Sequence, residues 1–164
     1  MKKTMKIIVL FAVLVISVSA YSERVFEAAE GYSAPSMTIE NSDTTMSLAE
    51  MKGRYVIVTF WSSADADSRL RARQYDEASK LLPQERFCLL SVNFDRSERL
   101  FREIVRRDNL NAETQFHAQG EEASKIIDAY RLDNGFQSFL IDPQGKIVAT
   151  NPDPETVARI VAEG

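Results

Sequence analysis

Two runs apolar on both faces, Tyr55–Trp61 (YVIVTFW) and Phe87–Phe94 (FCLLSVNF, more loosely), constrain this chain more than any other feature. A strand apolar on both faces must be covered on both, which places it inside a sheet with helices packed above and below. Between the runs, Leu70, Ala78, Leu81 and Leu82 recur at helical spacing with Tyr75 beside them, and the segment stops before Pro83. Two strands separated by a helix read as a parallel pair joined by a right-handed crossover.

The rest of the chain extends this plan. Ser63 or Asp65 suits the N-cap of the helix that follows the first strand. Ser97–Asn109 reads as a second helix, with Leu100, Phe101, Ile104 and Val105 on one face and Arg102, Arg106 and Arg107 on a solvated face opposite. Glu121–Arg131 reads as a third helix, with Ala123, Ile126, Ile127 and Tyr130 inward. Gln137–Asp142 and Lys146–Thr150 are strands joined by a tight turn at Pro143-Gln144-Gly145, and so antiparallel. Asp153-Pro154 opens a last helix that buries Val157, Ile160 and Val161. The order β-α-β-α-α-β-β-α predicts an α/β domain with a mixed sheet and helices on both faces.

Lys2, Lys3 and Lys6 precede the unbroken apolar run Ile7–Ile16, and small residues follow up to Ala20. This reads as a signal peptide over 1–20, too short for a spanning helix of roughly 20 apolar residues. Residues 21–30 are then expected to be a flexible mature N-terminus, and 31–164 the folded domain. The net charge is −4, and removing the first twenty residues takes away three Lys and no acid, leaving −7. Such acidity disfavours nucleic acid or an anionic lipid surface as partner. One Cys excludes a disulfide framework and a zinc ribbon, and one His excludes a multi-histidine metal site.

Several strings resemble one family when taken in order. Gly31-Tyr-Ser-Ala34-Pro35 is similar to its G-x-x-A-P lead-in. Ser47-Leu48 followed by Lys52-Gly53-Arg54-Tyr55-Val56 is similar to its S-L-x-x-x-K-G-K-x-V approach to the first core strand. Phe139-Leu140-Ile141-Asp142-Pro143-Gln144-Gly145-Lys146-Ile147 resembles its F-L-I-D-x-x-G-K-I hairpin, with Tyr130 at the tyrosine before it. The chain from about residue 31 onward thus resembles the thioredoxin-like exported thiol–disulfide oxidoreductases and peroxiredoxin-related proteins. The resemblance implies a three-layer sandwich around a mixed central sheet.

The family's active site is F-W-A-x-W-C-x-x-C-R, where this chain reads Phe60-Trp61-Ser62-Ser63-Ala64-Asp65-Ala66-Asp67-Ser68-Arg69. Asp65 stands at the nucleophile position and Ser68 at the resolving position. Phe136 stands where the family carries a proline, usually cis, whose geometry leaves a backbone edge free for a bound chain. A non-proline cis bond costs about 2.5–4 kcal/mol, so a trans Phe136 is expected to close or reshape that groove. Disulfide exchange needs an attacking thiolate and a second, resolving thiol. A carboxylate at a helix N-terminus keeps the negative charge but cannot exchange with a disulfide, and Ser68 cannot resolve one.

The remaining thiol, Cys88, lies near the start of its strand, roughly 15–20 Å from Asp65 at 3.3 Å per residue, and reads as a buried structural residue. Asp65, Asp67 and Asp95 share one edge of the sheet as a candidate acid–base or metal cluster, against helix capping as the simpler role. His117, beside Gln115 and Phe116, reads as a strand or loop surface residue. The expected function is an exported, redox-inactive binding or accessory domain with no catalytic residue, cofactor or metal. Its partner would be another envelope protein docking around Trp61, Asp65, Asp67 and Phe136. Two alternatives stay open: an oxidoreductase or peroxidase-like enzyme using Cys88 with a partner's thiol, and a carboxylate or metal site at Asp65, Asp67 and Asp95.

Overall fold

A computed structural model of the chain describes residues 28–40 and 45–164. The first strands, β1 (Thr38–Glu40) and β2 (Thr45–Ser47), pair antiparallel and bury Ile39. After a short 3-10 turn at Leu48–Met51 come β3 (Tyr55–Trp61), α1 (Ala66–Ser79) and β4 (Phe87–Asn93). Then follow α2 (Glu98–Arg107), β5 (Gln115–His117) and α3 (Gly120–Tyr130). The chain closes with β6 (Ser138–Ile141), β7 (Ile147–Thr150) and α4 (Pro154–Glu163).

The main sheet has the order β5-β4-β3-β6-β7. β3 runs parallel to β4 with Tyr55 opposite Phe87 and Trp61 opposite Asn93, and antiparallel to β6. β5 is parallel to β4, and β7 is antiparallel to β6. The doubly apolar reading of β3 holds because its two faces feed two cores. Val56, Val58 and Phe60 pack with Ile126 and Tyr130 of α3, while Ile57 and Trp61 face α1, α2 and α4 through Tyr75, Ala72, Phe101 and Val157. The β6–β7 turn is closed by the Asp142 carboxylate, which accepts from the amides of Gln144 at 2.9 Å and Lys146 at 2.8 Å. Its Gly145 sits at φ 88°, a conformation that L side chains rarely adopt.

Several expectations need correction. Leu70 is 49% exposed and Leu81 87% exposed, whereas α1 turns Ser68, Ala72, Tyr75 and Asp76 inward. Tyr75 and Leu82 pack into the core as expected, but the rest of the stripe facing the sheet is Ser68, Ala72 and Asp76, so apolar spacing misplaced Leu70 and Leu81. Leu100 is likewise 39% exposed at the rim of α2. Neither the β1–β2 pair nor β5 was anticipated, because three-residue strands are too short to show a period. Residues 1–27, which hold the expected signal peptide and most of the 21–30 segment, lie outside the described residues. Beyond them, the Glu30 carboxylate accepts from the Thr150 amide at 2.8 Å, and Gly31 donates to the Ile147 carbonyl at 2.8 Å.

Candidate functional site

The carboxyl ends of β3 and β4 carry a tight turn, residues 62–65, that leads into α1. Open α/β sheets place their sites at this edge. Asp95, just past β4, anchors the turn: its Oδ1 accepts from the Ser63 amide at 2.9 Å and from the Ser63 hydroxyl at 3.0 Å. Asn93 holds Asp95 in turn, donating from Nδ2 to Oδ2 at 3.1 Å and accepting the Asp95 amide at 2.9 Å.

Asp65 is the N-cap of α1, and its Oδ1 accepts the Ser68 amide at 2.7 Å. The buried Ser68 hydroxyl donates to the Asp65 carbonyl at 3.1 Å and accepts from the Ser62 amide at 3.4 Å. Hydrogen bonding from Ser68 holds the Asp65 carboxyl below its ordinary value, with the Arg71 charge adding to the effect. Asp65 and Ser68 therefore knit the turn to the helix. We expect Asp65→Ala to destabilise the fold by about 0.5–2 kcal/mol and Asp65→Asn by a few tenths at most, because Asn caps as well as Asp. Urea denaturation of the two variants measures the difference.

The loop before β6 closes on the same edge. The Arg71 Nη2 donates to the Phe136 carbonyl at 2.8 Å, and the Phe136 ring stacks on Phe94 with centroids 5.5 Å apart and planes 18° from parallel. The next carbonyl, of Gln137, is taken by the Phe60 amide at 3.0 Å. No peptide bond among the described residues is cis. The Phe136 and Gln137 carbonyls are thus satisfied within the chain.

The other candidate residues separate. Trp61 was expected to present a docking wall but is 0% exposed, with its indole Nε1 donating to the Ser91 hydroxyl at 3.0 Å. It belongs to the core under α1 and α2, because strand alternation puts it on the same helix-covered face of β3 as Ile57. Asp67 is exposed in the first turn of α1, where the helix dipole favours a negative charge. Asp65, Asp67 and Asp95 do not converge. The Asp65 and Asp95 carboxylates are committed to different backbone amides, and no group of three acidic, histidine or cysteine side chains among the described residues could hold a metal ion.

Cys88 lies opposite Val56, five residues before the turn end of the sheet. It is half-buried, and desolvation raises its thiol above the ordinary value against the opposing charge of Arg54. His117, expected at the surface, is half-buried and stacked on Phe101 with centroids 5.0 Å apart. Its Nε2 lies 2.6 Å from the Asp95 carbonyl, which can only accept, so this nitrogen carries the proton and Nδ1 accepts from the Gln119 amide at 2.8 Å. Sequence reasoning missed the contributions of Ser63, Asn93, Phe94 and Arg71 to this edge. Ser63, Phe94 and Arg71 act through partners distant in the chain, and Asn93 matters only through the Asp95 it holds, so no local pattern signals them.

The AhpC/TSA family matches residues 31–150. Among solved structures, the chain is similar to a thioredoxin-like protein from Parabacteroides distasonis at 29% identity and TM-score 0.71, covering 83% of this chain and 96% of that one. It is also similar to the thioredoxin domain of a thiol-disulfide oxidoreductase from Bacteroides vulgatus, at 27% identity and TM-score 0.70, covering 81% and 98%. A thiol:disulfide interchange protein from Bacteroides sp. matches at 26% identity and TM-score 0.72, covering 82% and 91%. No curated protein matches. The five-stranded mixed sheet with helices on both faces is the thioredoxin-like fold of these structures.

Proposed function

The chain belongs to the AhpC/TSA family, and from that premise we propose that it is a redox-inactive member that serves as a binding or accessory protein of the cell envelope. The observation that carries this reading is the turn at the start of α1. On this reading Asp65 and Ser68 occupy the positions of the family's two cysteines; the Asp65 carboxylate caps the helix and the Ser68 hydroxyl is bonded to the Asp65 carbonyl. Neither can exchange with a disulfide.

The chain's one thiol does not take over. Cys88 stands at the opposite end of β4, about 16 Å along the strand at 3.3 Å per residue, and its burial disfavours the thiolate that would attack. The apolar run Ile7–Ile16 behind Lys2, Lys3 and Lys6 supports export, which fractionation and N-terminal sequencing of the mature protein would test.

Partner contact is assigned to the exposed parts of the turn edge, with Asp65, Asp67 and Phe136 at its rim and Trp61 beneath as a support. The reading predicts no dithiothreitol-driven insulin reduction above buffer, and the same null result for Cys88→Ser. Activity in the wild type that disappears in Cys88→Ser would replace it with a one-cysteine enzyme. Cys88 is also expected to react slowly with a thiol reagent in the native protein and rapidly after denaturation.

A further inference from the structure

The second helix carries an unmatched basic face on an otherwise acidic protein. Residues 96–107 contain five Arg, two Glu and no Lys, a net +3 in a chain of net −4. All five arginines are exposed, while Phe101, Ile104 and Val105 hold the other side of α2 against the core. Arg102 pairs with Glu98 and Arg107 with Glu103. Arg96, Arg99 and Arg106 have no acidic side chain within ion-pair distance among the described residues. At 100° and 1.5 Å per residue, Arg99, Arg102 and Arg106 fall within a sector of roughly 60° along about 10 Å of helix. Leu100, 39% exposed, lies about 100° around the helix from Arg99, off this stripe.

We infer that this face of α2 docks an acidic segment of a protein partner. A guanidinium presents a planar fork that matches a carboxylate with two parallel hydrogen bonds, and Arg is enriched in interfaces where Lys is depleted. A narrow segment can lie along the stripe while the acidic remainder of the protein stays in solvent. An extended anionic surface, a membrane or a nucleic acid, would bring that remainder and the interleaved Glu98 and Glu103 against like charge. The surface is separate from the Asp65 turn, so the inference goes beyond the proposed binding role and does not depend on it.

The test titrates a fluorescently labelled peptide of alternating Glu and Leu into the wild type, the R96E/R99E/R106E and R96Q/R99Q/R106Q variants, and D65N. The three arginines are exposed and make no ion pair among the described residues, so the melting transition should be unchanged, and the glutamine variant serves if the glutamate one is destabilised. The inference expects binding to the wild type that weakens with added salt, a loss of affinity of at least about tenfold in the triple variants, and unchanged binding in D65N. Equal affinity in wild type and triple variants overturns it, as does no binding to the wild type at low salt. Stronger binding of the wild type to phosphatidylglycerol vesicles than to the peptide overturns it in favour of a lipid surface. Loss of peptide binding in D65N alone moves the acidic-segment site to the turn and overturns the assignment to α2.

Discussion

Replacing Trp61 with alanine is expected to lower the unfolding free energy by about 3–5 kcal/mol, the usual cost of truncating a large core aromatic. The side chain is 0% exposed, sits beside Ala72 of α1 and packs on Phe101 of α2 with ring centroids 6.2 Å apart. The substitution also strips the buried Ser91 hydroxyl of its indole donor. That is a large part of the total of about 5–15 kcal/mol that holds a typical domain together. A urea melt measures it, and a loss below about 1 kcal/mol would contradict the buried placement. Binding lost in Trp61→Ala would then report unfolding, so the rim residues Asp65, Asp67 and Phe136 are the ones to vary when mapping a partner.

The second large effect is expected at the link between α1 and the end of α2. Arg69 donates to Asp108 through two parallel bonds, Nε to Oδ2 at 2.7 Å and Nη2 to Oδ1 at 2.6 Å, with the Asp108 side chain only 11% exposed. Asp108→Asn should cost about 1.5–3 kcal/mol, the range for hydrogen bonds to charged groups. The Arg69 guanidinium, through those bonds and its charge, holds the Asp108 carboxyl below its ordinary value. A depressed folded value means the contribution is fully present above the unfolded value near 3.9 and is lost as pH falls toward the folded value. The gap between wild type and Asp108→Asn should therefore be constant from neutral pH down to about pH 5 and shrink below it. A gap that stays constant down to pH 2 would show that the pair does not carry the effect.

Much of the site was legible as residue identity and little of it as geometry. The F-W-x₇-R frame marked the turn, and the cap at Asp65 followed from a short oxygen side chain before a helix. The role of Asp95 in holding Ser63, and of Arg71 in holding Phe136, joins residues 32 and 65 positions apart. No local period can report contacts of that separation.

The local pattern by itself determined the order of the long elements and the parallel pairing of β3 with β4. It did so because a run apolar on both faces has few stable surroundings other than the middle of a sheet. It also determined that disulfide exchange through a pair of cysteines is chemically out of reach, since one Cys cannot supply two thiols. Only the tertiary structure decided which side of α1 faces the sheet, where Ala72 and Tyr75 pack inward and Leu70 stays in solvent. It alone sent Trp61 into the core and left Arg96, Arg99 and Arg106 without acidic partners among the described residues. Burial and pairing depend on what the rest of the chain brings alongside, which the order of residues specifies only through the completed fold.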